Sequence, residues 1–177
     1  MVGGTGSPDF PTTPGALDTT YDNGDAFVTK LNQAGTGLEY STFLGGSGSD
    51  GAGDVFVRHG IPYVFGYTTS TDFPVLAAPR TNPDAAAGFF AALDTRGSKL
   101  VRSTLVKPPF YGGSVDAHGN PYVLVNVLGA DVMATAGAFD PSFNGGTDMF
   151  VMALGCKPGR AATSRAACDR PDAARGP

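Results

Sequence analysis

Apolar residues along this chain gather into short runs bounded by Gly, Pro, Asn or Asp, the pattern of strands separated by tight turns. Between Asp54 and Val106 there are four such runs. Asp54–Arg58 is followed by a turn at His59-Gly60-Ile61-Pro62 and by Tyr63–Thr68. Beyond a Pro-rich excursion through Phe73-Pro74 come Phe89–Leu93, a turn carrying Gly97, and Leu100–Val106. The same frame predicts strands Val2–Thr5, Asp25–Leu31 and Leu38–Leu44 before this unit, and a strand around Ser114–Asp116, Tyr122–Asn126 and Met149–Leu154 after it. The pattern predicts ten strands and no substantial helix.

The frame is a repeat. His59-Gly60-Ile61-Pro62-Tyr63-Val64 recurs as His118-Gly119-Asn120-Pro121-Tyr122-Val123, at a spacing of 59 residues. Ser7-Pro8-Asp9-Phe10-Pro11 matches Ser70-Thr71-Asp72-Phe73-Pro74, and Pro14-Gly15-Ala16-Leu17 matches Ala136-Gly137-Ala138-Phe139. Asp25–Leu31 lines up with Ala87–Leu93 and with Asp148–Leu154, and Leu38–Leu44 with Leu100–Val106. Four strands per unit of about 60 residues is the blade of a β-propeller, whose sheets pack face to face around an axis. The expectation is an all-β chain of about two and a half blades: a partial blade over residues 2–44, a full one over 54–106 and a partial one over 114–154. Closed rings have about 4 to 8 blades, so these strands form an incomplete ring, completed by further blades of a longer chain or of another copy. The unpaired strand at each end predicts a sticky, aggregation-prone molecule. Gly35 and Gly97 fall where a turn needs a left-handed residue, and Phe27, Phe43, Phe56 and Phe90 are expected to pack between neighbouring blades.

Composition agrees with this. The chain has 177 residues with 26 Gly and 14 Pro; of its 16 acidic residues only Glu39 is glutamate, and lysine is scarce. Helix-favouring surface residues are therefore few, while a 41% hydrophobic share is enough for a core. No apolar run approaches a membrane span, and no secretory signal follows Met1.

The net charge of −4 divides unevenly: residues 1–154 hold 7 Lys/Arg against 14 Asp/Glu, residues 155–177 hold 5 against 2. An acidic body speaks against nucleic acid as a partner, since phosphate binding rests on clustered Lys and Arg. The basic segment 156–177 reads as a disordered tail. It holds Cys168, with Cys156 at its start; these two form either a disulfide in an oxidising compartment or two free thiols.

Beyond periodicity, the residues resemble a family. Asp25-Ala26-Phe27-Val28-Thr29-Lys30-Leu31-Asn32, Gly35, and Leu38-Glu39-Tyr40-Ser41-Thr42-Phe43-Leu44-Gly45-Gly46-Ser47-Gly48-Ser49-Asp50 look like the bacterial β-propeller repeat known as SBBP. Gly119-Asn120-Pro121-Tyr122-Val123 and Gly66-Tyr67-Thr68-Thr69-Ser70-Thr71-Asp72-Phe73-Pro74 match the continuation of that unit. The third unit departs from it over Val125–Met133, and Lys107-Pro108-Pro109 lacks the double glycine. The resemblance implies a repeat of large secreted or surface-attached bacterial proteins, mostly without a defined activity, and brings no catalytic residues with it.

Candidate chemistry is sparse. Asp50 and Asp54, and Asp22-Asn23-Gly24-Asp25, are the Asp-rich strings that could supply calcium with oxygen. Neither has the spacing or closing glutamate of an EF-hand, and turn capping by Asp, Asn and Ser is the preferred reading. His59 and His118 invite a metal or general-base role, but no Ser or Cys nucleophile motif accompanies them. Gly3-Gly4-Thr5-Gly6 lacks the Lys-Ser/Thr of a phosphate loop. The expectation is a chain with no catalytic, cofactor or metal site: a non-enzymatic scaffold or binding module of an exported or cell-surface bacterial protein, with a ligand at the rim loops. The alternatives are a fragment of a propeller-fold hydrolase or lyase acting on polysaccharide, and the remnant of a truncated gene.

Overall fold

The computed structural model describes residues 1–76, 86–107, 109–127, 142 and 145–154. The basic tail, Cys156 and Cys168, and the departure of the third unit beyond Val127 lie outside these residues. Ten strands and no helix occur among them: β1 (Val2–Thr5), β2 (Asp25–Leu31), β3 (Leu38–Leu44), β4 (Asp50–Arg58), β5 (Ile61–Thr68), β6 (Ala87–Leu93), β7 (Leu100–Val106), β8 (Phe110–Val115), β9 (Pro121–Val127) and β10 (Asp148–Ala153).

They form three antiparallel sheets, ordered β1-β2-β3, β4-β5-β6-β7 and β8-β9-β10. Each follows the chain in simple up-and-down order, because every connection inside a sheet joins neighbouring antiparallel strands. The sheets stack. Ala26, Val28, Tyr40 and Leu44 of the first sheet pack against Val64, Phe89, Ala91, Leu93 and Leu105 of the second. The opposite face of the second, with Tyr63, Phe65, Phe90 and Ala92, packs against Val115, Val123 and Val125 of the third. The middle sheet is buried on both faces, and so every residue of β6 is buried. The three sheets do not close into a ring.

The repeat survives in three dimensions as one register. Val28 pairs with Val2, Phe90 with Phe65 and Val151 with Leu124, at the same place in each sheet. One step along, Phe27 pairs with Gly3 and Phe89 with Gly66. Both glycines are needed there for close approach: a Cβ on Gly3 would stand 2.7 Å from the Phe27 ring, and one on Gly66 2.6 Å from the Phe89 ring. The loop following each of these strands returns a second ring onto the first. Phe10 lies over Phe27 at 4.5 Å between centroids and Phe73 over Phe89 at 4.6 Å, with interplanar angles of 31° and 28°.

Some boundaries and faces differ from the sequence reading. β4 starts at Asp50 rather than Asp54, because a bulge between Ala52 and Asp54 breaks the alternation while Asp50 still pairs with Thr68. β6 starts at Ala87, two residues before Phe89. β8 runs from Phe110 and stops at Val115, since Asp116 leaves the ladder to close the turn: its carboxylate accepts the N–H groups of His118 and Asn120. Phe56 and Phe90 lie between sheets as expected. Phe27 and Phe43 do not. They face away from the second sheet and are covered by Phe10 and Tyr21 of the chain's own loop. The outer edge of β3 is also less bare than the strand count implies: Thr13 N–H donates to the Ser41 carbonyl and Phe43 N–H to the Asp18 carbonyl, so residues 13–18 run along it. Gly35 and Gly97 hold φ of 70° and 64°, as their hairpins require.

Candidate functional site

Polar side chains converge most densely where the chain crosses from the first sheet to the second. Residues 45–49 link β3 to β4 over the start of β2, and residues 69–72, just beyond β5, lie against them. Asp25 opens β2 and Asp50 opens β4. Asp50 N–H donates to the Gly24 carbonyl at 2.7 Å, which joins the two strand starts.

Asp50 Oδ2 accepts the Gly46 N–H at 2.9 Å and the Ser70 hydroxyl at 2.8 Å, and Ser70 Oγ in turn accepts the Gly48 N–H. Asp72 Oδ1 accepts both the N–H and the hydroxyl of Ser47. Asp25 Oδ2 accepts the Asp22 N–H. The glycines of this loop serve approach, not chain reversal. A Cβ on Gly45 would run into the carboxylates of Asp25 and Asp50, one on Gly46 into Asp72, and one on Gly48 into the backbone around Ser70.

Asp25 and Asp50 are each 2% exposed. Burial pushes the Asp25 carboxyl above the ordinary carboxylate range; the Asp22 N–H pulls it back in part, and the charges of Asp50, Asp22 and Asp18 push it further up. Asp72 moves the other way, held low chiefly by the Ser47 N–H. Asp50 Oδ1 is buried without a hydrogen-bond partner.

The fold therefore joins one member of each Asp-rich string, Asp25 with Asp50, and sends Asp54 elsewhere, toward Gly112 of β8. Calcium needs six to eight oxygens, and among the described residues no three His, Cys, Asp or Glu stand close enough together to hold a metal ion. A buried carboxyl pair with one member raised also has the ingredients of a glycosidase site, but at 2% exposure neither carboxylate is open to a sugar chain. What the arrangement does is fasten one sheet to the next. The sequence signal for it is Gly45-Gly46 placed before Asp50, which reads equally well as an ordinary turn.

His59 and His118 occupy different hairpins. His59 and Gly60 form a two-residue turn with φ of 51° and 79°, the primed turn that matches strand twist. His118 lies in a longer turn closed by Asp116, with Nδ1 3.9 Å from that carboxylate. Both side chains are exposed. Gly3, Gly4 and Thr5 are strand residues of β1.

A concavity of about 470 Å³ opens between residues 13–16, β3 and the β6–β7 turn. Tyr40, Glu39 and Arg96 are among the residues that line it. Lys30 pairs with Glu39 at 2.6 Å. Burial, then the charges of Asp94 and Glu39, hold the Tyr40 hydroxyl above its usual range.

Among the described residues no helix is long and apolar enough to cross a membrane. No protein-family model matches the chain, and no curated protein matches it at a significant level. The SBBP resemblance thus rests on the quoted motifs.

Proposed function

We infer that this chain is a non-enzymatic repeat scaffold: a run of β-propeller blades of the SBBP type, belonging to an exported or cell-surface bacterial protein and presenting its rim to a ligand or protein partner. The observation that carries the reading is the register shared by the three sheets, in which Val28, Phe90 and Val151 pair with Val2, Phe65 and Leu124. Copies of one unit, each burying its face on the next, form an array whose purpose is the surface it displays. The strand content supports blades: β4–β7 is a four-stranded meander, and among the described residues β1–β3 and β8–β10 are three-stranded meanders in the same up-and-down order. The carboxylates with lowered pKa are spent on holding loops: Asp94 on Ser98 and Lys99 and Asp116 on His118 and Asn120 within their own turns, and Asp72 on Ser47 of the neighbouring β3–β4 loop.

The concavity lined by Tyr40, Glu39 and Arg96 is the seat for a ligand. A glycan array run with parallel hydrolysis assays tests the reading. Retention without turnover, weakened by Arg96→Ala, supports it; turnover of any polysaccharide would favour a carbohydrate-active enzyme fragment instead.

A further inference from the structure

The shared register also says what the outermost apolar face is for. In the first sheet Ala26 and Val28 point toward the second, and Val28 is 1% exposed. In the second, Phe90 holds the position of Val28, points toward the third and is also 1% exposed. In the third, Val151 holds that position and is 73% exposed, with Met149 beside it at 65%. Leu124, opposite Val151, and Asn126, opposite Met149, share this face. Two apolar side chains stand in water at positions that are buried against a following sheet in both other sheets.

The matching face lies at the other end of the stack. What packs against Ala26 and Val28 within the chain is the stacked pair Phe73–Phe89. Its counterpart, Phe10–Phe27, lies half-buried on the opposite face of the first sheet, with no other sheet over it among the described residues. The two ends of the stack are thus complementary in the way its internal interfaces are.

We propose that a second copy of this chain docks head to tail, seating its Phe10–Phe27 pair on Met149 and Val151. The contact continues the two sheet interfaces already present. It is heterologous, so it either closes or propagates. The described residues of two copies contribute six sheets, within the range of about 4 to 8 that close into a ring, and the expected species is a closed dimer. Closure rests on the propeller reading, whereas the pairing of faces rests on register alone. Because the contact is apolar and each chain carries a net −4, added salt strengthens association.

The test uses the full 177-residue chain. Sedimentation velocity across the micromolar range is expected to show a monomer–dimer equilibrium, weakened about tenfold or more by Val151→Asp. Circular dichroism of the variant is expected to stay unchanged, because Val151 is exposed within one chain. A photo-crosslinking residue at 151, in a mixture of light and heavy-isotope copies, is expected to give mixed-isotope products on the peptides holding Phe10 or Phe27. A monomer at every concentration, association unaffected by Val151→Asp, or products confined to one copy, such as to residues 128–147 or 155–177, would overturn the proposal. The scaffold reading would fail separately, through polysaccharide turnover, which these measurements do not touch.

Discussion

Burial holds Asp25 in its neutral form more strongly than water would. A carboxyl whose pKa is raised by folding contributes its stability fully below its unfolded value, about pH 4, and that contribution is lost as the pH rises through the folded value. As the pH rises toward neutrality that contribution is withdrawn, because the unfolded chain ionises there more readily than the folded one. Asp72, Asp94 and Asp116 have lowered pKa values, so their contribution is present above about pH 4 and is lost as the pH falls through their folded values. For Asp94 and Asp116, burial is the largest single influence and acts upward, but the hydrogen bonds from Ser98 and Lys99, and from Asn120 and His118, together outweigh it. Asp25→Asn keeps an acceptor for the Asp22 N–H and removes the charge. It is expected to raise Tm at pH 7 and to converge on the parent near pH 3; thermal melts at both pH values check this, and an equal loss at both would contradict it. Gly45→Ala has the opposite sign. Its methyl group meets two buried carboxylates, an overpacking of about 1–3 kcal/mol, read as a fall of about 2–4 °C in Tm for each kcal/mol.

At the scale of elements, the repeated aromatic pair separates what is buried from what is only local. Phe73 is 2% exposed inside the first interface, whereas Phe10 is half-buried on the opposite face of the first sheet. Phe73→Ala is expected to cost about 3–5 kcal/mol and Phe10→Ala clearly less in the isolated chain; urea unfolding of both variants checks the order. These elements also show how far the sequence could be read. Alternation bounded by Gly and Pro placed all ten strands, because each hairpin is local and its turn residues are explicit, down to the left-handed Gly35 and Gly97. It missed the first residues of β4 and of β8, where a bulge in each hides the alternation. It also placed Phe27 and Phe43 between sheets, since periodicity gives the face of a strand but not which of two neighbours covers it. The Asp25–Asp50 convergence was illegible for a related reason: the two residues meet only across a sheet junction, and glycines kept for approach look like glycines kept for turns.

At the scale of the whole molecule, the stack has a centre and two ends. The middle sheet packs on both faces, and all of β6 is buried. By contrast β10 has one face in water, and among the described residues β1 and β10 are each paired on one side only. Local opening free energies follow burial and pairing, so the order of amide exchange reports the order of the sheets. Hydrogen-exchange mass spectrometry on the dilute chain is therefore the most direct check of the stacked-repeat account. It predicts that amides of β5 and β6 exchange last and those of β1 and β10 first. Protection of β10 equal to or greater than that of β6 would contradict it.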